Sequence, residues 1–185
     1  MPPATAAEWG IFMKRVMIFI DGSNFYHGLK ANLGKTSIDF AKFSELLCGQ
    51  EREHVRTYYY NVPLHREDDN GRYKKQQNFL EQLYETPLLT VTLGRLERRG
   101  ATYVEKGIDV NIAVDMLSLA FSDCYDVGIL VSGDADYVKM VEEVKRLGKH
   151  VEVAYFAVGQ SFHLRNVADR MVILTEDTLR ECWVY

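Results

Sequence analysis

Two short apolar runs, each broken by an acidic turn, constrain this chain more than any other feature. Val16-Met17-Ile18-Phe19-Ile20 stops at Asp21-Gly22-Ser23, and Val127-Gly128-Ile129-Leu130-Val131 stops at Ser132-Gly133-Asp134. Such a run, bounded by turn residues, suits a strand covered on both faces, as in a parallel sheet. Helical spacing follows each turn, from about Asn24 to Leu33 and through Val138, Val141, Val144 and Leu147 to a stop at Gly148. Further strands are predicted over Val55–Val62, Leu88–Leu96 with Ala101–Val104 as a pairing partner, Val151–Phe156 and Met171–Leu174. Helices are predicted from Phe40 to a stop at Gly49, over 71–85, over Ile108–Phe121, over Gln160–Ala168 and over 176–182. Strands alternating with helices mean βαβ units and right-handed crossovers. The expected fold is therefore α/β: three α/β/α layers around a mainly parallel, Rossmann-like sheet. The 185 residues suffice for one domain with a sizeable core. That domain is expected over 13–185, with 1–12 a flexible N-terminal extension and Met13 the natural start.

Composition removes several classes. Cys48, Cys124 and Cys182 are scattered and odd in number, which suits neither a disulfide framework nor a thiolate zinc site. The five histidines show no H-x-x-x-H spacing. No apolar run approaches the roughly 20 residues of a membrane span. The basic residues of the N-terminus follow its apolar ones, the reverse of a secretory signal. A soluble, cytoplasmic protein with no membrane partner is the expectation. No G-x-G-x-x-G follows the first strand, and there is no Walker lysine.

In open parallel sheets, ligands gather beyond the carboxyl ends of the strands, where strand order reverses. Asp21 and the pair Asp134 and Asp136 reach that edge from two strands. Helix capping explains either turn alone; both together favour a site. Asp109 opens the helix from Ile108, which is apolar almost all round and so expected to be buried. A carboxylate there is costly unless paired or bound to a cation. Asp115 lies about 240° further round that helix and is left a structural role. Carboxylates without nearby cations repel one another, so either one keeps its proton or a hard cation neutralises them. Oxygen ligands without His or Cys favour Mg²⁺ or Mn²⁺ over Zn²⁺. Ser23 and Asn24 stand where they can orient a water or a phosphate oxygen.

These residues also carry a family resemblance. Ile18-Phe19-Ile20-Asp21-Gly22-Ser23-Asn24-Phe25-Tyr26 resembles the opening motif of the NYN domain, a branch of the PIN-like nuclease superfamily. Glu105-Lys106-Gly107-Ile108-Asp109-Val110 resembles its K-G-x-D motif, and Val131-Ser132-Gly133-Asp134-Ala135-Asp136-Tyr137 its S-G-D-x-D-[FY] motif. The likeness spans about 14–175, and LabA-like bacterial proteins are the nearest subgroup. It implies a PIN-like fold and a Mg²⁺- or Mn²⁺-dependent ribonuclease acting on RNA, single-stranded by expectation. Asp21, Asp109 and Asp134 match the metal-holding positions, Asp136 is a fourth, and Asn24 matches the asparagine beside them. Since some family members act in regulation, a non-catalytic RNA- or protein-binding module is the alternative, and a homodimer or a regulatory protein partner is allowed. A Toprim-like phosphotransferase shares the D-x-D at 134–136 but wants a glutamate where this chain has Asp21.

Arg95, Arg98, Arg99 and Lys106 make a basic stretch, offset by Glu97 and Glu105, that leads into Asp109. They are candidate substrate-binding residues, with Ser23 and Ser132, because cations beside the site can guide a phosphate backbone; a solvated hairpin is the plainer explanation. The loop 63–72 is weighed as a border of the substrate path, and Tyr58, Tyr59 and Tyr60 as strand residues in preference to base-stacking ones. Net charge is −4, which by itself argues against a polyanion partner. The four candidate site aspartates account for all of it, so the remaining chain is balanced.

Overall fold

Burial on both faces decides the middle of the sheet. A computed structural model describes residues 13–64, 70–99, 102–159 and 161–184, so the predicted extension 1–12 and the central part of the loop 63–72 lie outside the described residues. Strand β1 (Lys14–Asp21) has its last six residues buried, and β6 (Val127–Val131) is buried throughout. The two pair in parallel, with Ile20 opposite Val131. Around them stand β2 (Arg52–Asn61), β3 (Leu89–Leu93), β7 (His150–Tyr155) and β8 (Arg170–Ile173), giving one six-stranded sheet in the order β3-β2-β1-β6-β7-β8. Every pairing within it is parallel.

Helices cover both faces, as parallel strands require. On one face α1 (Gly22–Leu33), α2 (Phe40–Cys48) and α3 (Asn70–Glu85) pack Phe25, Phe43, Leu47 and Leu83 against Ile18, Ile20 and Ile129. On the other, α4 (Ile108–Phe121), α5 (Val138–Arg146) and α6 (Phe162–Val167) pack Ile112, Met116, Val141 and Leu164 against Phe19, Leu130 and Val153. Alternate residues of β1 thus serve opposite cores. Tyr59 and Tyr60 are buried strand residues, as expected. At the opposite end of the sheet from the acidic turns, the buried Glu152 is held by Arg52 at 2.9 Å and by Arg170 at 3.5 Å.

Three local expectations need correction. The strand predicted over Leu88–Leu96 breaks at Gly94. Strand β2 ends at Asn61, opposite Leu93, so β3 has no ladder beyond that point. The charged stretch that follows, β4 (Arg95–Arg99), folds onto β5 (Thr102–Lys106) as a separate antiparallel hairpin. No helix forms over 176–182, only a 3-10 turn at Arg180–Cys182. There Thr175 and Thr178 spend their hydroxyls on each other's backbone N–H groups at 3.2 and 2.7 Å, a local alternative to helix. Helix α4 buries a single stripe, Ile108, Ile112, Met116 and Ala120. Val110, Val114 and Phe121 are 63, 56 and 80% exposed, and Asp109 is exposed as well.

The turn between β1 and α1 is tightly fitted. A Cβ at Gly22 would fall 2.5 Å from the Tyr60 carbonyl oxygen and 2.5 Å from the Tyr59 ring. Because one of these neighbours is backbone of a central strand, it cannot step aside. Gly22→Ala is expected to destabilise the protein by roughly 1–3 kcal/mol, read as a lower urea midpoint at unchanged m-value; an unchanged midpoint would show that the turn is looser than it stands here.

Candidate active site

Strand order reverses between β1 and β6, and the two acidic turns sit side by side at the carboxyl ends of these strands. Asp21 ends β1 and caps α1, its Oδ1 accepting from the Asn24 amide at 3.0 Å. Asp134 follows β6 and caps the 3-10 turn Ala135–Tyr137, its Oδ1 accepting from the Asp136 amide at 3.1 Å. Capping and site are therefore the same residues: the helix ends hold the carboxylates in place. The turns are also tied to each other, because the Gly133 amide donates to Asn24 Oδ1 at 3.1 Å.

Asp109 reaches the rim from the first turn of α4. Its connection to Asp21 is Tyr137, whose hydroxyl lies 3.1 Å from Asp21 Oδ2 and 2.9 Å from Asp109 Oδ1. A phenol has one proton to donate, so it cannot satisfy two ionised carboxylates at once. Burial, reinforced by the charges of Asp109 and Asp134, pushes the Asp21 carboxyl above its ordinary range, against the pull of the Asn24 amide and the Tyr137 hydroxyl. Tyr137 itself is driven far above the usual phenol value by burial and then by the two carboxylates, so it stays protonated.

Asp21, Ser23, Asn24, Asp109 and Asp134 line one cleft of about 460 Å³, which continues along α1 past His27. The other sequence candidates stand apart from it. Asp136 is exposed and contributes its amide as a cap; Ser132 is buried and accepts the Asp134 amide at 3.2 Å. Arg95 and Lys106 are exposed cross-strand partners on the β4–β5 hairpin, just before Gly107 and Ile108 enter the cleft wall. Arg98 and Arg99 belong to the same hairpin; their side chains lie outside the described residues. Asp115, left a structural role, accepts from the buried Tyr60 hydroxyl at 2.8 Å. Tyr137 is the residue that sequence reasoning passed over. It is the last residue of the stretch Val131–Tyr137, and nothing in its spacing announces that it lies between two carboxylates.

The chemistry of the donor set suits a hard cation. Asp21 and Asp109 are oxygen donors in mutual repulsion, and Mg²⁺ is commonly held by one or two carboxylates and several waters. Among the described residues no three His, Cys, Asp or Glu side chains already stand close enough to enclose an ion, so protein ligation would rest on that pair, with Asp134 beside it.

A sequence profile of the NYN domain matches residues 15–175. The chain belongs to the NYN domain family. It is 24% identical over 172 residues to the low amplitude and bright protein LabA of Synechococcus elongatus, covering 88% of this chain and 84% of that one. An uncharacterized protein of Methanocaldococcus jannaschii is 34% identical over 70 residues, which is 38% of this chain and 29% of the relative. The crystal structure of a protein of unknown function from Vibrio parahaemolyticus superposes with a TM-score of 0.73 at 27% identity, covering 89% of this chain and 95% of that one. The NYN-domain chain thus has the PIN-like α/β architecture its motifs imply, and no helix among its described residues is long and apolar enough to cross a membrane.

Because the folded Asp21 carboxyl holds its proton to higher pH than an unfolded one, its contribution to stability falls as pH rises from the ordinary carboxylate range through the raised value. The penalty is therefore larger at pH 7 than at pH 4. In EDTA, Asp21→Asn is expected to melt above the parent at pH 7, each kcal/mol of relieved penalty showing as about 2–4 °C at this size. The gap should shrink toward pH 4, and thermal melts at the two pH values check both statements. A variant that melts lower at pH 7 would mean the carboxylate is not under electrostatic strain.

Proposed function

We propose that this NYN-domain protein is a metal-dependent ribonuclease hydrolysing phosphodiester bonds of single-stranded RNA at the cleft between β1 and β6. The observation that carries the reading is the Asp21–Tyr137–Asp109 constellation, two carboxylates from different elements on one hydroxyl, with Asp134 in the same cleft. The family's nuclease-like superfamily supports it. Asp21 and Asp109 would hold Mg²⁺ or Mn²⁺, with Asp134 completing the set and Asp136 at its margin. Bound there, the ion supplies a Lewis acid for the phosphoryl group and a water of lowered pKa.

The chain's own residues do the rest. Asn24 has its carbonyl oxygen taken by the Gly133 amide, which leaves the NH₂ end of the amide to donate to a phosphate oxygen, with Ser23 beside it. Tyr137, locked as a neutral donor, fixes the spacing of Asp21 and Asp109. Lys106 and Arg95, with Arg98 and Arg99 on the same hairpin, offer positive charge to the phosphate backbone as it approaches Asp109. The balanced charge outside the acidic cluster fits a weak, salt-sensitive, metal-dependent grip.

A second reading, a regulatory module that keeps the fold and binds RNA or a protein partner in the cytoplasm, is favoured by one fact. The Tyr137 hydroxyl links two of the carboxylates and both acidic turns cap their helices, structural uses of the same residues. The two readings diverge in one experiment. Asp134→Asn is expected to lower Mn²⁺-dependent cleavage of a single-stranded RNA by roughly 10–100-fold, as loss of a residue serving the metal does, while circular dichroism stays that of the parent. Equal cleavage by variant and parent sinks the mechanism. Absence of saturable Mn²⁺ binding by calorimetry in the parent turns the assignment to the regulatory module.

A further inference from the structure

The cleft is longer than the acidic rim needs. Helix α1 turns Asn24, His27, Gly28 and Ala31 into it, the spacing of a single helical face. From Asn24 to Ala31 that face runs about 10 Å, away from the carboxylates. The opposite wall is Phe156, Val158 and Gly159, in the segment after β7. His27 and Val158 are exposed while the Phe156 side chain is buried, so the arm has an open mouth and an apolar floor.

This wall is built into the fold. Asn32, one turn beyond Gly28, holds the Val158 backbone at both ends: its Oδ1 accepts from the Val158 amide at 2.9 Å and its Nδ2 donates to the Val158 carbonyl at 3.3 Å. The far end of the segment is tied to the acidic turn, since the Ser161 amide donates to the Gly133 carbonyl at 2.8 Å. Close approach to α1 depends on Gly28, where a Cβ would fall 2.2 Å from the Phe156 ring.

We propose that this arm is a nucleobase slot. It would take the base of the nucleotide next to the scissile phosphate, flat between His27 and the Val158 backbone, over Phe156. The whole cleft, about 460 Å³, lies within the roughly 300–1,000 Å³ of small-ligand sites, room for one nucleotide unit that spans the acidic rim and the arm. An apolar slot beside a phosphate-handling rim matches the two halves of a nucleotide, and stacking on a π-face tolerates any base while requiring that it be unpaired. The slot thus selects single strands over duplexes. The inference rests on the reading of the acidic rim as a phosphodiester site, but its test does not need turnover.

Ala31 is exposed on the surface of α1, so Ala31→Trp fills the arm without touching a carboxylate. It should raise the Kd for a fluorescent single-stranded RNA about tenfold, the loss of one base stack, with Mn²⁺ binding by calorimetry as in the parent. His27→Ala should weaken binding in the same direction, and an abasic strand should bind the parent no better than RNA binds Ala31→Trp. Ultraviolet cross-linking of a 4-thiouridine strand should place the adduct on His27 or on the 156–159 segment. Unchanged affinity in both variants or equal affinity for the abasic strand each overturns the slot. Cleavage by the parent, followed in parallel, judges the nuclease reading separately: base-dependent binding without cleavage leaves the slot standing and that reading fallen.

Discussion

The parallel pairing of β1 with β6 is the interaction on which the rest depends. Once Ile20 lies opposite Val131, Asp21 and the Ser132-Gly133-Asp134 turn must emerge together at one edge. The apolar residues that drive this pairing gain from burial on both faces, and that gain holds acidic groups closer than they would settle on their own. The same register sets Asn24 against Gly133, so the two turns are linked by a hydrogen bond as well as by the sheet. Mutual repulsion at the rim is thus a cost of the fold's own topology, partly offset by helix caps and by Tyr137.

That arrangement explains why capping and function resist separation here. A carboxylate at a helix N-terminus is stabilised by orphan N–H groups whether or not it handles a ligand. Asp21 and Asp134 each give one oxygen to a backbone amide, which fixes their rotamers, while the second oxygen of Asp21 faces the Tyr137 hydroxyl. Asp136 and Ser132 sit in the same motif yet serve it from behind, one through its amide and the other through its hydroxyl.

Much of this was legible in the sequence, for physical reasons that differ by element. The central strands announce themselves because double burial demands continuous apolar runs, and the acidic turns because nothing apolar could replace them at a wet edge. The departures occur where tertiary partners decide. Whether Leu88–Leu96 is one strand or two depends on where β2 ends, and no periodicity within the segment records that. The composition of α4 suggests full burial, but only the stripe Ile108, Ile112, Met116 and Ala120 is fully covered, while Val110, Val114 and Phe121 face outward. Thr175 and Thr178 turned a helix-permissive segment into turns through side-chain bonds that depend on their pairing. Tyr137 and the α1 face at His27 and Ala31 were present as letters, but their meaning required knowing what lay across the cleft.

The β4–β5 hairpin gives the site an uneven construction. Asp21 is the last residue of a central strand and Asp134 follows another three residues on. Asp109 comes through a chain path that leaves the sheet at Gly94, makes the hairpin, and returns at Gly107. The acidic rim is thus assembled from two routes, the sheet and the hairpin-led helix, and a single phenolic oxygen spans them.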